Sequence, residues 1–333
     1  MGWWIALIVV VALVIWARKG VVLFLRSFGP VFLKKLPTAI LTLVMVSALV
    51  FFGAQAIGGQ EDMLIKEGRM DARTIEALRE RYGFNDPIMV QYWNHLKLLI
   101  QFDSLPSPHQ NNRTFRDILN NHLMVTVSLG WRALALAVIF GVPLGILTAL
   151  WHNRWPDQAG MVLALIGVSV PNFIIATVLL YFLSRKWQIF PATEWADPVR
   201  MWIPAVALGA FPFAAVLRLT RASMLEALRE DYVRTARAKG LSETKVVAKH
   251  ALRNSLSAVV TYLGPVAAGL MVGSLVVETI FNIPGIGDMF VVSVQNRDVP
   301  LIMSISVLYC ILLVSANLLV DSLYPVLNPR LRD

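Results

Sequence analysis

The chain has 333 residues, of which 57% are hydrophobic and only 15% charged, and its mean hydropathy is +0.63. This balance excludes an ordinary soluble domain, because long uncharged apolar runs are typical of helices that span a bilayer. The net charge of +9 is concentrated in a few segments, which favours membrane topology over nucleic-acid binding as its cause.

The N-terminal segment, residues 1–25, is predicted to form an extra membrane helix. Trp3–Ala17 is apolar, with no cationic region before it and no A-x-A cleavage site after it, so a removable signal peptide is not indicated. Fifteen residues at ~1.5 Å each reach only ~22 Å, which is short for a hydrocarbon core of ~30 Å. The sequence leaves open whether this helix spans the membrane or lies flat on it.

Six further apolar segments are long enough to span. They are Leu36–Ile57, Leu123–Trp151, Ala159–Ser184, Met201–Leu217, Leu256–Val277 and Val299–Val320. The first core helix, with a preceding elbow, is therefore assigned to 26–57. A cap segment outside the cytoplasm is assigned to 58–118, and the core domain to 119–333, with a cytoplasmic loop over 218–253.

Basic residues set the predicted orientation of these spans. Segment 18–35 carries five Lys/Arg and no acid, and loop 218–253 carries nine Lys/Arg against four acids, so both are expected in the cytoplasm. The cap segment 58–118 is nearly neutral, with eight Lys/Arg and nine acids, and is expected outside. Two stretches of the cap have helical spacing, Asp71–Tyr82 and Pro87–Leu99.

The spans lack side chains that would drive transport or catalysis. Arg132 and Glu278 fall at outer ends of spans and Asp321 at an inner end, so no ionisable residue of a proton-coupled carrier is expected at the midplane. The chain has no G-x-x-x-x-G-K-[ST] loop, no G-x-S-x-G or H-E-x-x-H motif, and no clustered Cys/His. Its only cysteine, Cys310, lies in an apolar run. We therefore expect no bound cofactor or metal, and an energy source outside the chain.

The charged segment between two apolar runs is the most informative part of the sequence. RASMLEALREDYVRTARAKG (221–240) is predicted to form one helix over Met224–Lys239, which Gly240 ends in a left-handed conformation. Ser242 is placed to cap a second helix. The predicted buried face consists of Leu225, Leu228, Tyr232, Thr235 and Ala236. By pattern alone, this hairpin either binds a protein partner or lies on anionic lipid.

Several motifs resemble importer permeases of the ATP-binding-cassette (ABC) family, oligopeptide/dipeptide branch. The family's E-A-A-x-x-x-G coupling motif corresponds to residues 234–240, RTARAKG, and its Arg-Thr start is typical of the peptide branch. RYGFNDPIMVQYWNHL (81–96), YLGPVAAGLMVGSLVVETIFNIPGIGDMF (262–290) and the C-terminal NPRLRD extend the resemblance over about 26–333. The chain departs from the family at Ala258, which replaces a proline, at residues 102–107, which replace G-D-[LF]-G-x-S, and in its extra N-terminal helix.

The resemblance implies an all-α polytopic membrane protein with the type I ABC importer permease fold: six core transmembrane helices plus the extra N-terminal helix. It implies a non-catalytic subunit of a bacterial plasma (inner) membrane that moves peptides or peptide-like solutes inward by alternating access. The implied partners are a second homologous permease, two cytoplasmic ATP-binding subunits that use ATP and Mg, an extracytoplasmic solute-binding protein, and membrane lipid, without nucleic acid.

Two candidate sites follow from the resemblance. The loop that the ATPase grips in that family corresponds to Glu226, Asp231, Tyr232, Arg234, Thr235, Ala236, Arg237, Ala238, Lys239 and Gly240. The second site is a candidate periplasmic gate formed by Glu278, Pro284, Gly285 and Gly287. The alternative for the second site is a packing turn whose acid pairs with Arg297 or Arg132.

The resemblance leaves the cargo open, because permeases for nickel and other small solutes use the same scaffold. A self-sufficient channel or membrane enzyme is the alternative from a different class. An exporter of the same superfamily is disfavoured, because the cytoplasmic loop is compact and no ATPase is fused to the chain.

Overall fold

The computed structural model describes residues 29–30, 32–56, 76, 79–80, 83–101, 103–104, 107, 114–190 and 201–327, with the side chains of 253 and 322–327 excepted. All regular structure in these ranges is helical. The predicted helix Trp3–Ala17 and the C-terminal NPRLRD lie outside the described residues, as does most of Asp71–Tyr82.

The described helices follow one another with short connections. In chain order they are α1 Phe32–Ala56, α2 Ile88–Ile100, α3 Phe115–Leu150, α4 Trp155–Ser169, α5 Asn172–Leu180, α6 Trp202–Arg229, α7 Asp231–Ala238, α8 Glu243–Lys245, α9 Leu252–Val272, α10 Leu275–Ile280, α11 Ile286–Gln295 and α12 Val299–Leu327. Two segments are π-helical: Tyr181–Lys186 extends α5, and Val246–Ala251 connects α8 to α9. Following the predicted topology, the end of the bundle that carries α7 is called the inner end.

Five of the described helices are long and apolar enough to cross a membrane: α1, α3, α6, α9 and α12. A sixth predicted span, Ala159–Ser184, is not one straight helix. It consists of α4 and α5, which are bent by 101° at a break between them. Pro171 causes the break, because the residue before a proline is driven out of the helical region, and Val170 has the extended angles φ −92° and ψ 119°.

Two other predicted spans differ in length from their helices. The helix that contains Met201–Leu217 is longer than the predicted span, since α6 continues to Arg229 and carries the basic residues beyond its apolar part. Leu256–Val277 was too long, because α9 ends at Val272 before Gly273, whose φ of 103° ends a right-handed helix. The helix is continuous through Ala258, where the family has a proline.

The interior consists of small and branched apolar side chains in separate clusters. The outer core comprises Leu129, Ala133, Ala176, Met201, Ala205, Ala207, Leu208, Leu270, Val277, Phe281 and Ile283. The inner core comprises Ala149, Met224, Ala227, Val233, Ala236, Val246 and Ala251. Such small residues let helix backbones approach closely, which is how membrane helices gain packing energy.

Glycines mark the closest approaches between α3 and its neighbours. A Cβ atom on Gly145 would lie 2.7 Å from the Leu217 carbonyl oxygen of α6, and one on Gly130 would overlap the Leu270 carbonyl oxygen of α9. A Cβ on Gly160 of α4 would lie 2.3 Å from the Thr148 Cγ2 of α3. Helices α3, α4 and α6 therefore pack as one tight unit.

The cap helix α2 lies against α1. Tyr92 contacts Phe51 and Phe52 with ring centroids 5.3 and 5.4 Å apart, and its hydroxyl lies 2.9 Å from the Ser47 hydroxyl. His95 is buried beside Phe51, and no partner for its Nε2 occurs among the described residues. At the opposite end of α1, Lys35 forms an ion pair with Asp321 of α12.

The burial of His95 predicts that the protein becomes less stable as the pH falls. Burial lowers the pKa of His95 from 6.5 to about 4, so between those values the unfolded chain binds a proton that the folded chain does not. The free energy of unfolding should therefore fall as the pH falls from 6.5 to 4, by up to about 1.4 kcal/mol per pH unit. His95→Leu should reduce this dependence in thermal unfolding of the detergent-solubilised protein. Equal pH dependence in both proteins would contradict the prediction.

Candidate coupling surface and outer turn

The first candidate site is built on the inner end of α6 and on α7. The predicted single helix Met224–Lys239 is wrong: α6 ends at Arg229, Glu230 is extended (φ −68°, ψ 148°), and α7 begins at Asp231. The Glu230 carbonyl accepts the Val233 N–H at 3.0 Å, which starts the new helix directly after the break. The break changes the register of α7 and so the face that it buries.

The apolar side of α7 is turned toward the bundle. Val233 and Ala236, one turn apart, are buried in the inner core against Met224 and Ala227 of α6. The predicted buried face was therefore wrong for Tyr232 and Thr235, which are exposed. The spacing of Val233 and Ala236 identifies the true face only once α7 is known to start at Asp231.

Nine of the ten residues predicted to meet an ATPase are exposed. We call them the coupling surface: Glu226, Asp231, Tyr232, Arg234, Thr235, Arg237, Ala238, Lys239 and Gly240. The tenth, Ala236, is buried and holds α7 in place. The structure thus brings the predicted residues together on one short helix, its C-terminal turn and the adjoining end of α6.

Gly240 forms that turn. Its φ is +74°, its N–H donates to the Arg237 carbonyl at 2.9 Å, and the Leu241 N–H reaches the Ala236 carbonyl at 3.4 Å. The predicted left-handed end of the helix is thus confirmed. A Cβ on Gly240 would meet nothing within 4 Å, so the constraint at this position is conformational rather than steric.

An ion pair spans the Gly240 turn. The Arg237 guanidinium donates to both Glu243 carboxylate oxygens, at 2.6 and 3.1 Å. This pairing lowers the pKa of Glu243 and raises that of Arg237. Ser242 precedes α8 as predicted, but its hydroxyl makes no capping hydrogen bond.

A second ionic group lies close to the coupling surface and was not identified from the sequence. We call it the Asp157 cluster; it consists of Asp157 of α4, Arg221 of α6 and His152 of the α3–α4 turn. Arg221 donates through Nε and Nη2 to the two Asp157 oxygens, at 2.6 and 2.8 Å. The His152 Nδ1 lies 3.2 Å from Asp157 Oδ2, and the N–H of Asn153 donates to the same oxygen at 2.9 Å. No sequence spacing could pair residues 64 positions apart.

The second candidate site is the outer turn, residues 284–287, together with Glu278. Glu278 is fully buried, although the sequence placed it at the outer interface. Among the described residues it does not pair with Arg297 or Arg132, so the pairing in that alternative is wrong, whereas its packing turn agrees with the structure; the carboxylate instead accepts backbone N–H groups. Gly287 donates at 2.8 Å and Ser274 at 3.3 Å, and the Asp288 N–H donates as well.

Thr126 of α3 joins this group to the bundle. Its hydroxyl donates to Glu278 at 3.2 Å and accepts the Ile286 N–H at 2.8 Å. The accepted N–H groups of residues 286–288 belong to the first turn of α11, where a carboxylate is stabilised by the helix dipole. Glu278 therefore fixes the outer turn to α10 and α3 and is not free to bind a ligand in this conformation.

Glycines make room for the buried carboxylate. A Cβ on Gly285 would overlap Glu278 Oε2, and one on Gly273 or Gly287 would lie 2.7 or 2.8 Å from a Glu278 oxygen. Pro284 contributes its carbonyl oxygen, which lies 2.9 Å from His122 Nδ1. Two of the predicted gate residues, Gly285 and Gly287, thus lie against the carboxylate of a third, Glu278, and the fourth, Pro284, is held to α3 through His122.

Glu278→Gln is expected to lower the free energy of unfolding by about 1–3 kcal/mol, because an amide nitrogen cannot accept the N–H groups that a carboxylate oxygen accepts. The measurement is thermal unfolding in detergent. Thr126→Ser is the control, since it keeps the hydroxyl and should change stability by less than about 0.5 kcal/mol. A Glu278→Gln protein as stable as the wild type would show that these hydrogen bonds contribute little.

Two models of one family of transport proteins match this chain. Residues 141–333 match the family described as "Binding-protein-dependent transport system inner membrane component". Residues 30–130 match the N-terminal model for membrane components of such systems. Both candidate sites lie within the first match.

Two curated relatives cover most of the chain. The dipeptide transport system permease protein DppB of Bacillus subtilis (strain 168) is 41% identical over 292 residues, which are 87% of this chain and 94% of the relative. The glutathione transport system permease protein GsiC of Escherichia coli (strain K12) is 40% identical over 301 residues, 90% of this chain and 98% of the relative.

Proposed function

Because the chain belongs to the family of inner-membrane components of binding-protein-dependent transport systems, we propose that it is the permease subunit of an ATP-driven importer that moves peptides or peptide-like solutes into the cytoplasm. Its relatives carry dipeptides and glutathione by name, and both cargoes are small peptides. Nickel or another small solute remains the alternative cargo on the same scaffold.

We assign four partner subunits to this chain: a second, homologous permease, two cytoplasmic ATP-binding subunits, and an extracytoplasmic solute-binding protein. ATP and Mg would be bound by the ATP-binding subunits. Family membership supports a binding protein and an external energy source, since the family is defined by transport that depends on a binding protein.

The observation that carries the proposal is the orientation of α7. A helix that lies on lipid must turn its apolar face to the bilayer. In α7 that face, Val233 and Ala236, is already buried in the inner core, and the side left exposed carries Arg234, Arg237 and Lys239. This arrangement favours a protein partner over lipid, and a helix fixed to the bundle moves with it as a body.

For the outer turn we propose a gate element that moves as one unit. Glu278 contributes by holding Gly285 and Gly287 in position rather than by touching solute, because its carboxylate is buried and fully engaged. Pro284 is exposed and is the member of the group placed to contact a neighbouring subunit or delivered solute.

The decisive experiment is uptake by the complete complex in proteoliposomes. The chain, co-expressed with the second permease and the two ATP-binding subunits and supplied with binding protein, should accumulate labelled dipeptide or glutathione only with ATP and Mg. Vesicles that carry an ATPase subunit unable to hydrolyse ATP are the control. Uptake by this chain alone, without ATP, would overturn the proposal and favour a channel or a self-sufficient carrier.

A further inference from the structure

The Asp157 cluster links the coupling surface to the part of the bundle that reaches the outer turn. We propose that Asp157 and Arg221 are positioning residues for transport: they lock α4 to α6, so that force applied to the coupling surface also moves the bent pair α4–α5. This inference rests on the proposed function and concerns the route by which ATP hydrolysis is converted into movement.

The cluster lies one helical turn from the inner core. Arg221 precedes Met224 by three residues on α6, a rise of ~4.5 Å, and Met224 contacts the buried side of α7. The other partner, Asp157, lies in the first turn of α4. Any displacement of α7 that shifts the end of α6 is therefore transmitted directly to the start of α4.

The apolar packing between α4 and α6 is close and made by small residues: a Cβ on Gly167 would lie 2.8 Å from the Ala214 Cβ, and Ala164 packs on Ala214 and Leu217. The ionic pair adds a directional contact to this packing at the inner end of the two helices. The two-pronged Arg221–Asp157 pair is satisfied in one register only, because both distances and the plane of the guanidinium must match.

The pair lies in a largely buried site. The Asp157 side chain is only 4% exposed and that of Arg221 20%, so water and salt screen their attraction little. The α3–α4 turn is also arranged around this carboxylate: Asn153 adopts a φ of 61° and donates its N–H to it. A buried pair held in one geometry suits the transmission of movement.

The far end of the route reaches the outer turn. Beyond the 101° bend, Ala176 of α5 belongs to the outer core together with Val277 and Phe281, which lie on either side of Glu278 in the chain. The contacts thus run without a gap from α7 through α6, the Asp157 cluster, α4 and α5 to α10. A chain of contacts shows coupling only if breaking one contact changes transport at the far end. The quantity to measure is therefore the amount of solute transported per ATP hydrolysed.

The test uses the complete complex in proteoliposomes with Arg221→Lys, which keeps the charge but loses the two-pronged contact, and Asp157→Asn, which keeps the shape but loses the charge. Both complexes should assemble and hydrolyse ATP within about twofold of wild type. The number of solute molecules moved per ATP should fall by about 5-fold or more, in the range of ordinary coupling between sites. The double variant should be no worse than either single variant, because one contact is lost in each case.

Asp321→Asn is the matched control, since it breaks the Lys35–Asp321 pair between α1 and α12, outside the proposed route. Its transport per ATP should equal that of wild type. An unchanged ratio in the Arg221→Lys and Asp157→Asn complexes would overturn the inference, whether or not their assembly is reduced. A wild-type complex without ATP-dependent uptake would overturn the proposed function instead.

Discussion

Gly240→Pro is expected to abolish ATP-driven uptake while the chain still inserts in the membrane. Proline cannot adopt the φ of +74° found at Gly240, and it lacks the N–H that donates to Arg237. The turn after α7 would have to refold, which displaces Arg237 and Lys239 on the coupling surface. Gly240 lies in an exposed turn outside the spans, so insertion should be unaffected.

A graded series separates conformation from size at this position. Gly240→Asn should retain most uptake, because asparagine tolerates the left-handed region, whereas Gly240→Ala costs about 1–2 kcal/mol and should be intermediate. Uptake, ATP hydrolysis and the amount of chain in the membrane fraction are measured for each variant. Normal transport and ATPase coupling in Gly240→Pro would count heavily against the assignment of this segment.

Gly130→Val is expected to impair folding severely. A Cβ at Gly130 would lie well under 3.0 Å from the Leu270 carbonyl oxygen, and the obstacle is backbone, which cannot rotate away. The two helices α3 and α9 would have to separate, which opens the outer core around Leu129 and Leu270. Overpacking of this kind costs about 1–3 kcal/mol or more.

The matched control is a second glycine, on α9 itself and next to Leu270. Gly269→Ala places its Cβ in open space, so it should leave the unfolding temperature in detergent and the yield of folded protein unchanged. Gly130→Val should lower both. A Gly130→Val protein as stable as the control would mean that α3 and α9 do not approach each other this closely.

The membrane-spanning architecture could be predicted because it depends on composition alone. Each long apolar run in the described residues corresponds to a helix or to a bent pair of helices, and the left-handed turn at Gly240 follows from the one residue type that readily adopts it. Breaks within helical patterns were harder to predict. Pro171 was evident in Ala159–Ser184, yet a proline inside a membrane helix is often tolerated, as Pro143 is in α3.

The candidate sites show a second limit. Residues 231–240 were identified by motif, but the break at Glu230 turns Val233 and Ala236 onto the inner core, which is a tertiary contact that the motif does not record. The partners of Glu278 could not be predicted either, because they are backbone N–H groups, which almost every residue has whatever its side chain. Pairings such as Arg221 with Asp157 require the third dimension, since either residue could equally have faced solvent.

The two-sided construction of α7 has a consequence for how such subunits are reused. Val233 and Ala236 anchor the helix to its own protein, whereas Tyr232, Arg234 and Thr235 point away from it. Anchoring and recognition thus depend on different residues of the same eight-residue helix. A permease built this way could change its ATP-binding subunit by changing only the outward side chains of this helix. The same side chains could be transplanted by design without altering the membrane domain.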